Sequence, residues 1–198
     1  MFWDKVAFGY EQFEKAINGR VTLMMGVKTA AFIEEGDEVL ECACGTGLIS
    51  RHIAPKCRTL TAVDLSVKML AQAEKNCAQF DNIRFFKADI THLKCRDERF
   101  DKVVAGNVIH LLDDSEAAVR ELMRVCKKGG KVIIPTYVSV SPKQMLMYDL
   151  IDKTGAKFKR MFTLDTYKQF FADMGLENVR FEIADGVMPC VLAVIDKQ

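Results

Sequence analysis

Glu41-Cys-Ala-Cys-Gly-Thr-Gly47 stands between the apolar pair Val39-Leu40 and the run Leu48-Ile49-Ser50. The order reads as a buried strand that turns through glycines into a helix. A turn this tight needs positions without a Cβ, because the backbone folds back on itself and a ligand must approach the main chain closely. At the carboxyl end of a first strand, such a turn makes a nucleotide-sized site. A Gly-x-Gly turn alone recurs often by chance. Here it is sharpened by Glu41, four positions before Gly45, and by Asp64, which closes the next apolar run, Thr59 to Val63.

From Asp37 onward, strand-like and helix-like segments alternate, which argues for a parallel sheet with crossover helices. The strands read as Glu38 to Cys42, Thr59 to Val63, Ile83 to Ala88, Phe100 to Ala105 and Lys131 to Tyr137. The helices between them cover about Leu48 to Ala54, Val67 to Phe80 and Ser115 to Cys126, with at most a short turn near Thr91 to Arg96. Asp64-Leu-Ser66 suits a loop ending in a helix N-cap, and Lys128-Gly-Gly130 a helix end and turn. Ahead of this core, Phe2, Val6, Tyr10, Phe13 and Ile17, then Leu23, Val27, Ala31 and Phe32, recur at helical spacing. They predict two helices broken at Asn18-Gly19. After Tyr137 the alternation lapses. A Met-rich helix is expected around Met145 to Ile151, then a basic run over residues 157–160, a helix from Thr163 to Met174, and a hairpin of Val179 to Ile183 with Val191 to Ile195 across Asp185-Gly186.

The 198 residues suffice for one domain with a substantial core. Lys and Arg total 28 against 27 Asp and Glu, so the net charge of +1 leaves no electrostatic footprint for nucleic acid. Met1-Phe-Trp-Asp-Lys5 is not a signal sequence and no stretch reaches the length of a membrane span, which predicts a cytoplasmic chain without integral membrane association. The seven cysteines lie mostly within apolar runs and read as reduced, buried thiols. Cys42 and Cys44 have a ligand-like spacing, but two thiolates without a second pair make a poor zinc site, so no metal is expected.

In the order Glu41, Gly45, Gly47, Asp64, Asp89 the chain resembles the class I S-adenosylmethionine-dependent methyltransferases of small-molecule type, the type 11 methyltransferase domain of the ubiquinone and menaquinone methyltransferases. The resemblance is specific from about Asp37 to Tyr137. It implies a Rossmann-like seven-stranded α/β sheet of order 3-2-1-4-5-7-6 with its last strand antiparallel and helices on both faces. It further implies S-adenosyl-L-methionine as cofactor, S-adenosyl-L-homocysteine as product, and a small-molecule acceptor. Residues 1–35 would form a helical lid, 36–137 the cofactor-binding core, 138–162 a substrate-side insertion, and 163–198 the last helix and hairpin. By the same resemblance Glu41, Ala43, Cys44, Gly45, Thr46 and Gly47 hold the methionine end, Ala43 standing where the family usually has glycine. Asp64 accepts from the ribose hydroxyls, with Leu65 beside it and Met69 over the adenine; Ala88, Asp89 and Ile90 meet the adenine edge. Asn107 and Val108 lie under the methionine end, Tyr10 covers the site from the lid, and His110 faces the acceptor. His110 and Tyr10 are the candidate catalytic groups, His110 because its ordinary pKa suits a general base.

Plainer readings stand beside these. Asp64 also suits a helix N-cap, Met69 a core position, His110 a structural histidine, and Met145, Met147 and Leu150 core or lid packing. A nicotinamide-dependent oxidoreductase shares the glycine turn and the ribose aspartate. However, none of Tyr10, Tyr137, Tyr148 or Tyr167 has the lysine four residues on that the short-chain enzymes need. A non-catalytic protein that binds S-adenosylmethionine would differ from an enzyme only in turnover. The chain is expected to be a monomer or homodimer.

Overall fold

The computed structural model describes residues 2–141, 144, 152–153 and 158–198. The expected Met-rich helix over 145–151, with Met145, Met147 and Leu150, and Lys157 of the basic run lie outside the described residues. In chain order the elements are α1 (Phe2–Val6), α2 (Tyr10–Ala30), β1 (Glu38–Cys42), α3 (Ser50–Ile53), β2 (Thr59–Asp64), α4 (Val67–Asn76), β3 (Ile83–Lys87), β4 (Phe100–Ala105), α5 (Ser115–Val125), β5 (Cys126–Tyr137), α6 (Leu164–Asp173), β6 (Val179–Ala184) and β7 (Cys190–Asp196). The strands form one sheet in the order β3-β2-β1-β4-β5-β7-β6. Strands β1 to β5 pair in parallel, with Leu40 opposite both Thr61 and Val103. Strand β7 runs antiparallel to both of its neighbours.

Continuous apolar runs become strands buried on both faces because crossover helices cover both sides of a parallel sheet. The alternation of side chains divides the core in two. Leu40, Val103, Val132 and Ile134 pack with Val119 and Leu122 of α5 and Tyr167 and Phe171 of α6. Their neighbours Val39, Val104, Ile133 and Leu192 pack with Val21 and Met25 of α2, Ile53 of α3 and Leu70 of α4. Strand order reverses between β1 and β4, so the two halves of the sheet part there and leave a crevice above their carboxyl ends.

Three local readings differ from the sequence expectation. The N-terminal break falls at residues 7–9, while α2 continues through Asn18 as a kink with φ −140° and ψ 23°. The Asn18 side chain explains this: it donates to the Met188 carbonyl at 2.8 Å and accepts from the Met188 amide at 3.2 Å, tying the kink to the β6–β7 loop. Strand β5 begins at Cys126 rather than Lys131, with a register shift against β4 between Phe100 and Lys102. Gly129 and Gly130 are part of this irregular strand and not a turn outside it; a Cβ on Gly130 would lie 2.5 Å from the Asp101 carbonyl oxygen. The helix after the glycine turn is only Ser50–Ile53, followed by a 3-10 turn at Ala54–Lys56. Among the described residues no helix is long and apolar enough to cross a membrane.

Candidate cofactor and acceptor cleft

The glycine turn leaves β1 through a sequence of left-handed residues. Ala43, Gly45 and Gly47 have φ of 54°, 56° and 83°. The Cys44 amide bonds the Val63 carbonyl at 3.0 Å, and the Gly47 amide bonds the Cys44 carbonyl at 2.9 Å. The turn is thereby fixed against the end of β2, where Asp64 closes it from the side. One Asp64 carboxylate oxygen accepts from the Gly45 amide at 2.9 Å, and the other accepts from the Ser66 amide at 2.8 Å. Burial holds the Asp64 carboxyl above its usual range, against the lowering effect of these amides. Each oxygen keeps acceptor capacity for a further donor. Ser66 in turn caps α4, its hydroxyl accepting from the Met69 amide at 3.1 Å, which sets Met69 behind the turn at 3% exposure.

Above these residues lies a cleft of about 580 Å³. Tyr10, Ala43, Gly45, Asp64, Leu65, Met69, Ala88, Ile90, Asn107 and Val108 all line it. Glu41, Cys44 and Thr46 line instead a smaller adjoining cavity, which shares Tyr10, Ala43, Gly45 and Asn107 with the cleft. Glu41 is fully buried beneath the turn and accepts from the Ser50 hydroxyl at 2.6 Å; burial above all, and then the Asp64 charge, pushes its carboxyl up to about 8. Asn107, with φ 51°, accepts from the Tyr137 amide at 3.1 Å and donates its own amide to Pro135 at 2.7 Å, so it clamps the end of β4 to that of β5.

Gly47, Asp89 and His110 line neither space. A Cβ on Gly47 would press on Cys77 Sγ at 2.8 Å, so this glycine serves the approach of α4. Asp89 is exposed and its carboxylate accepts from the Thr91 amide and hydroxyl at 2.9 and 2.8 Å. The expectation that His110 faces the acceptor is not met. The 3-10 turn Ile109–Leu111 buries Ile109 and His110 and turns Leu111 toward the cleft. The His110 ring packs 5.3 Å from that of Phe158, its Nδ1 has no hydrogen-bond partner among the described residues, and burial holds its pKa down at about 4. The Tyr10 phenol is held well above its usual range by burial and by Glu14, so it stays a donor.

The cleft also takes in Phe2 and Trp3 from the expected lid, Leu111 from the segment after β4 and Lys159 from the expected substrate-side insertion, together with Gly106, Leu112 and Asp113, for which the sequence raises no expectation. They form the outer half: aromatic rings from α1 on one lip, the loop after β4 on the other, and the Lys159–Asp113 ion pair at 2.5 Å at the rim. Sequence spacing carries no signal for these contacts across the molecule. Glu14 and Tyr137, at the smaller cavity, were also unassigned. Glu14 had a faint signal, as a carboxylate one helical turn after Tyr10 on the face that continues to Ile17 and Val21.

The methyltransferase domain family matches residues 40–134. A phosphatidylethanolamine N-methyltransferase of Cereibacter sphaeroides is 29% identical over 84% of this chain and 81% of its own length. A demethylmenaquinone methyltransferase of Clavibacter sepedonicus is 28% identical over 78% of this chain, which spans only 64% of that relative. A SAM-dependent methyltransferase of Thermotoga maritima, a possible histamine N-methyltransferase, superposes with a TM-score of 0.76 at 19% identity, covering 100% of this chain and 99% of its own. That likeness concerns the fold, including the seven-stranded sheet.

Proposed function

Since residues 40–134 match the methyltransferase domain family, we propose that the chain is an S-adenosylmethionine-dependent methyltransferase that transfers a methyl group to a small, largely apolar acceptor bound between α1 and the loop after β4. The observation that carries this reading is the cleft at the reversal of strand order, with the Asp64 carboxylate fixed by the Gly45 and Ser66 amides. The donor set fits the cofactor. Asp64 retains acceptor capacity for a pair of ribose hydroxyls, Met69 and Ile90 supply apolar walls for an adenine, and a Cβ built on Gly45 would meet nothing within 4 Å, leaving the main chain approachable.

When bound, the cofactor supplies a sulfonium-activated methyl group and its own leaving group. The chain therefore contributes positioning and exclusion of water rather than a covalent step. Phe2 and Trp3 stack edge to face, with ring centroids 5.1 Å apart, and Trp3 meets Tyr10 in the same way at 6.1 Å. Together with Leu111 and Leu112 they give the acceptor half an apolar lining. The Lys159–Asp113 ion pair at the rim suits a polar end of the acceptor. His110 lines neither space, so in this reading the acceptor would be a nucleophile that needs no histidine base, and any proton it loses on methylation would pass to solvent at the mouth of the cleft.

The test is a labelled-methyl screen of purified protein against small amine, thiol, hydroxyl and quinone-like acceptors, paired with titration of S-adenosylhomocysteine. Asp64→Ala should weaken cofactor binding by about 1–3 kcal/mol and, because two amides lose their acceptor, destabilise the fold by a similar amount. Tight S-adenosylhomocysteine binding with no turnover of any acceptor would favour a non-catalytic binding protein instead.

A further inference from the structure

The smaller cavity, of about 40 Å³, has a composition that the cleft does not share. Glu14 and Glu41 both line it, together with Tyr10, Thr46, Asn107 and Tyr137, and among the described residues no Lys, Arg or His does. Glu14 is 7% exposed on α2. Its Oε2 accepts from the Tyr137 hydroxyl at 2.8 Å and the Thr22 hydroxyl at 3.2 Å. Hydroxyls ease the burial of a carboxylate but bring no opposite charge, and an uncompensated buried charge is costly. Burial indeed leaves the Glu14 carboxyl above its usual range. A second observation points the same way. Thr46, fully buried on the glycine turn and lining the same cavity, has a hydroxyl without a hydrogen-bond partner among the described residues. The cavity thus has surplus acceptors and no cation.

We infer that Glu14 is the counter-charge for the ammonium group at the amino-acid end of the cofactor, with the Thr46 hydroxyl as a neutral partner beside it. The inference rests on the cofactor reading above. The nucleoside half has its partners at Asp64 and Met69 in the cleft. The cavity joins that cleft through Ala43, Gly45 and Asn107, so the part of the cofactor that reaches it is the end carrying the ammonium. Tyr137 and Thr22 are positioning residues: their hydroxyls hold the carboxylate in one orientation.

The experiment is calorimetric titration of the full chain with S-adenosylhomocysteine and with its des-amino analogue, in which hydrogen replaces the amino group. Wild-type protein should favour S-adenosylhomocysteine by about thirtyfold, the scale of one charged hydrogen bond. Glu14→Gln should bind both ligands alike, with its affinity for the analogue unchanged, and Glu14→Asp should restore part of the preference. If Glu14→Gln proves unfolded by circular dichroism, Glu14→Asp makes the same comparison, and a wild-type preference there overturns the assignment. Discrimination that persists in Glu14→Gln, or equal weakening of both ligands, also overturns it, because a merely structural residue would not distinguish them. If wild-type protein fails to bind S-adenosylhomocysteine at all, the cofactor reading itself falls.

Discussion

Ala43 holds a backbone conformation, φ 54°, that a Cβ makes costly. The left-handed region costs an L-residue about 1–2 kcal/mol, of which glycine is free, and glycine loses part of that gain through its greater freedom in the unfolded chain. Ala43→Gly should therefore raise stability by about 1 kcal/mol in urea unfolding without weakening cofactor binding; a destabilised variant would show that the alanine methyl packs usefully. Glu41 gives a pH signature. Its carboxyl is raised to about 8 in the folded protein, so the folded state binds this proton more tightly than the unfolded chain does. The stability it contributes is complete below the ordinary carboxylate range and is lost as pH rises toward about 8. In Glu41→Gln that decline should flatten, so the melting-temperature difference from wild type should grow between pH 5 and 8; parallel profiles would contradict the assignment. The glycine turn and the placement of Asp64 and Met69 beside it are legible in the sequence because they depend on local order. His110 was misread because a place in a motif does not state which way a side chain points within a 3-10 turn. Glu14 escaped notice because its partners lie on β5 and in the same helix, 123 and 8 residues away.

Helix α1 has no buried residue of its own, so it is held over the cleft by polar ties. The Ser66 hydroxyl donates to Asp4 at 2.6 Å while it caps α4, and this bond keeps the Asp4 carboxyl below its usual range. Further along, Glu11 of α2 accepts from Arg51 at 2.9 Å and from Asn76 at 2.8 Å, and Asn76 also donates to the Thr46 carbonyl at 2.9 Å. The start of α2 is thereby joined to the glycine turn and to the end of α4. Two variants separate the jobs of Ser66. Ser66→Ala should cost about 1 kcal/mol through the lost cap. Asp4→Ala should leave global stability near wild type but speed amide exchange in residues 2–6; equal exchange in both proteins would show that the aromatic contacts alone hold the lid. The strands were legible almost to the residue, since double-sided burial writes itself as unbroken apolar runs. The start of β5 was not, because Gly129-Gly130 signals a turn locally and only the close approach of Asp101 explains a strand there. The kink at Asn18 was likewise read as a helix end, because its tie to Met188 spans 170 residues.

The whole molecule joins a rigid half to a tied-down one. Strands β5, β7 and β6 make the most extensive pairing, with seven register partners between β5 and β7 running from Lys131–Asp196 to Tyr137–Cys190, and they lie on the far side of the sheet from Asp64. The cleft is closed on one side by α1, which has no buried residue of its own, and is bounded elsewhere by the turn at 43–47 and the loop after β4. Ligand that binds only the folded state stabilises it in proportion to the logarithm of its saturation, about 2.7 kcal/mol at a hundredfold excess over the dissociation constant. That stabilisation should not be spread evenly, because local opening is governed by local anchoring. Saturating S-adenosylhomocysteine should slow amide exchange chiefly in residues 2–14, 43–47 and 107–112, where a bound nucleoside and amino acid replace missing contacts. Exchange in β6 and β7 should change only as far as global unfolding contributes, and NAD should protect neither region. Uniform protection across the sheet, with none added at the N-terminal helices, would mean that α1 and the start of α2 do not close over the cofactor, and the acceptor pocket would then have to be sought away from Phe2 and Trp3.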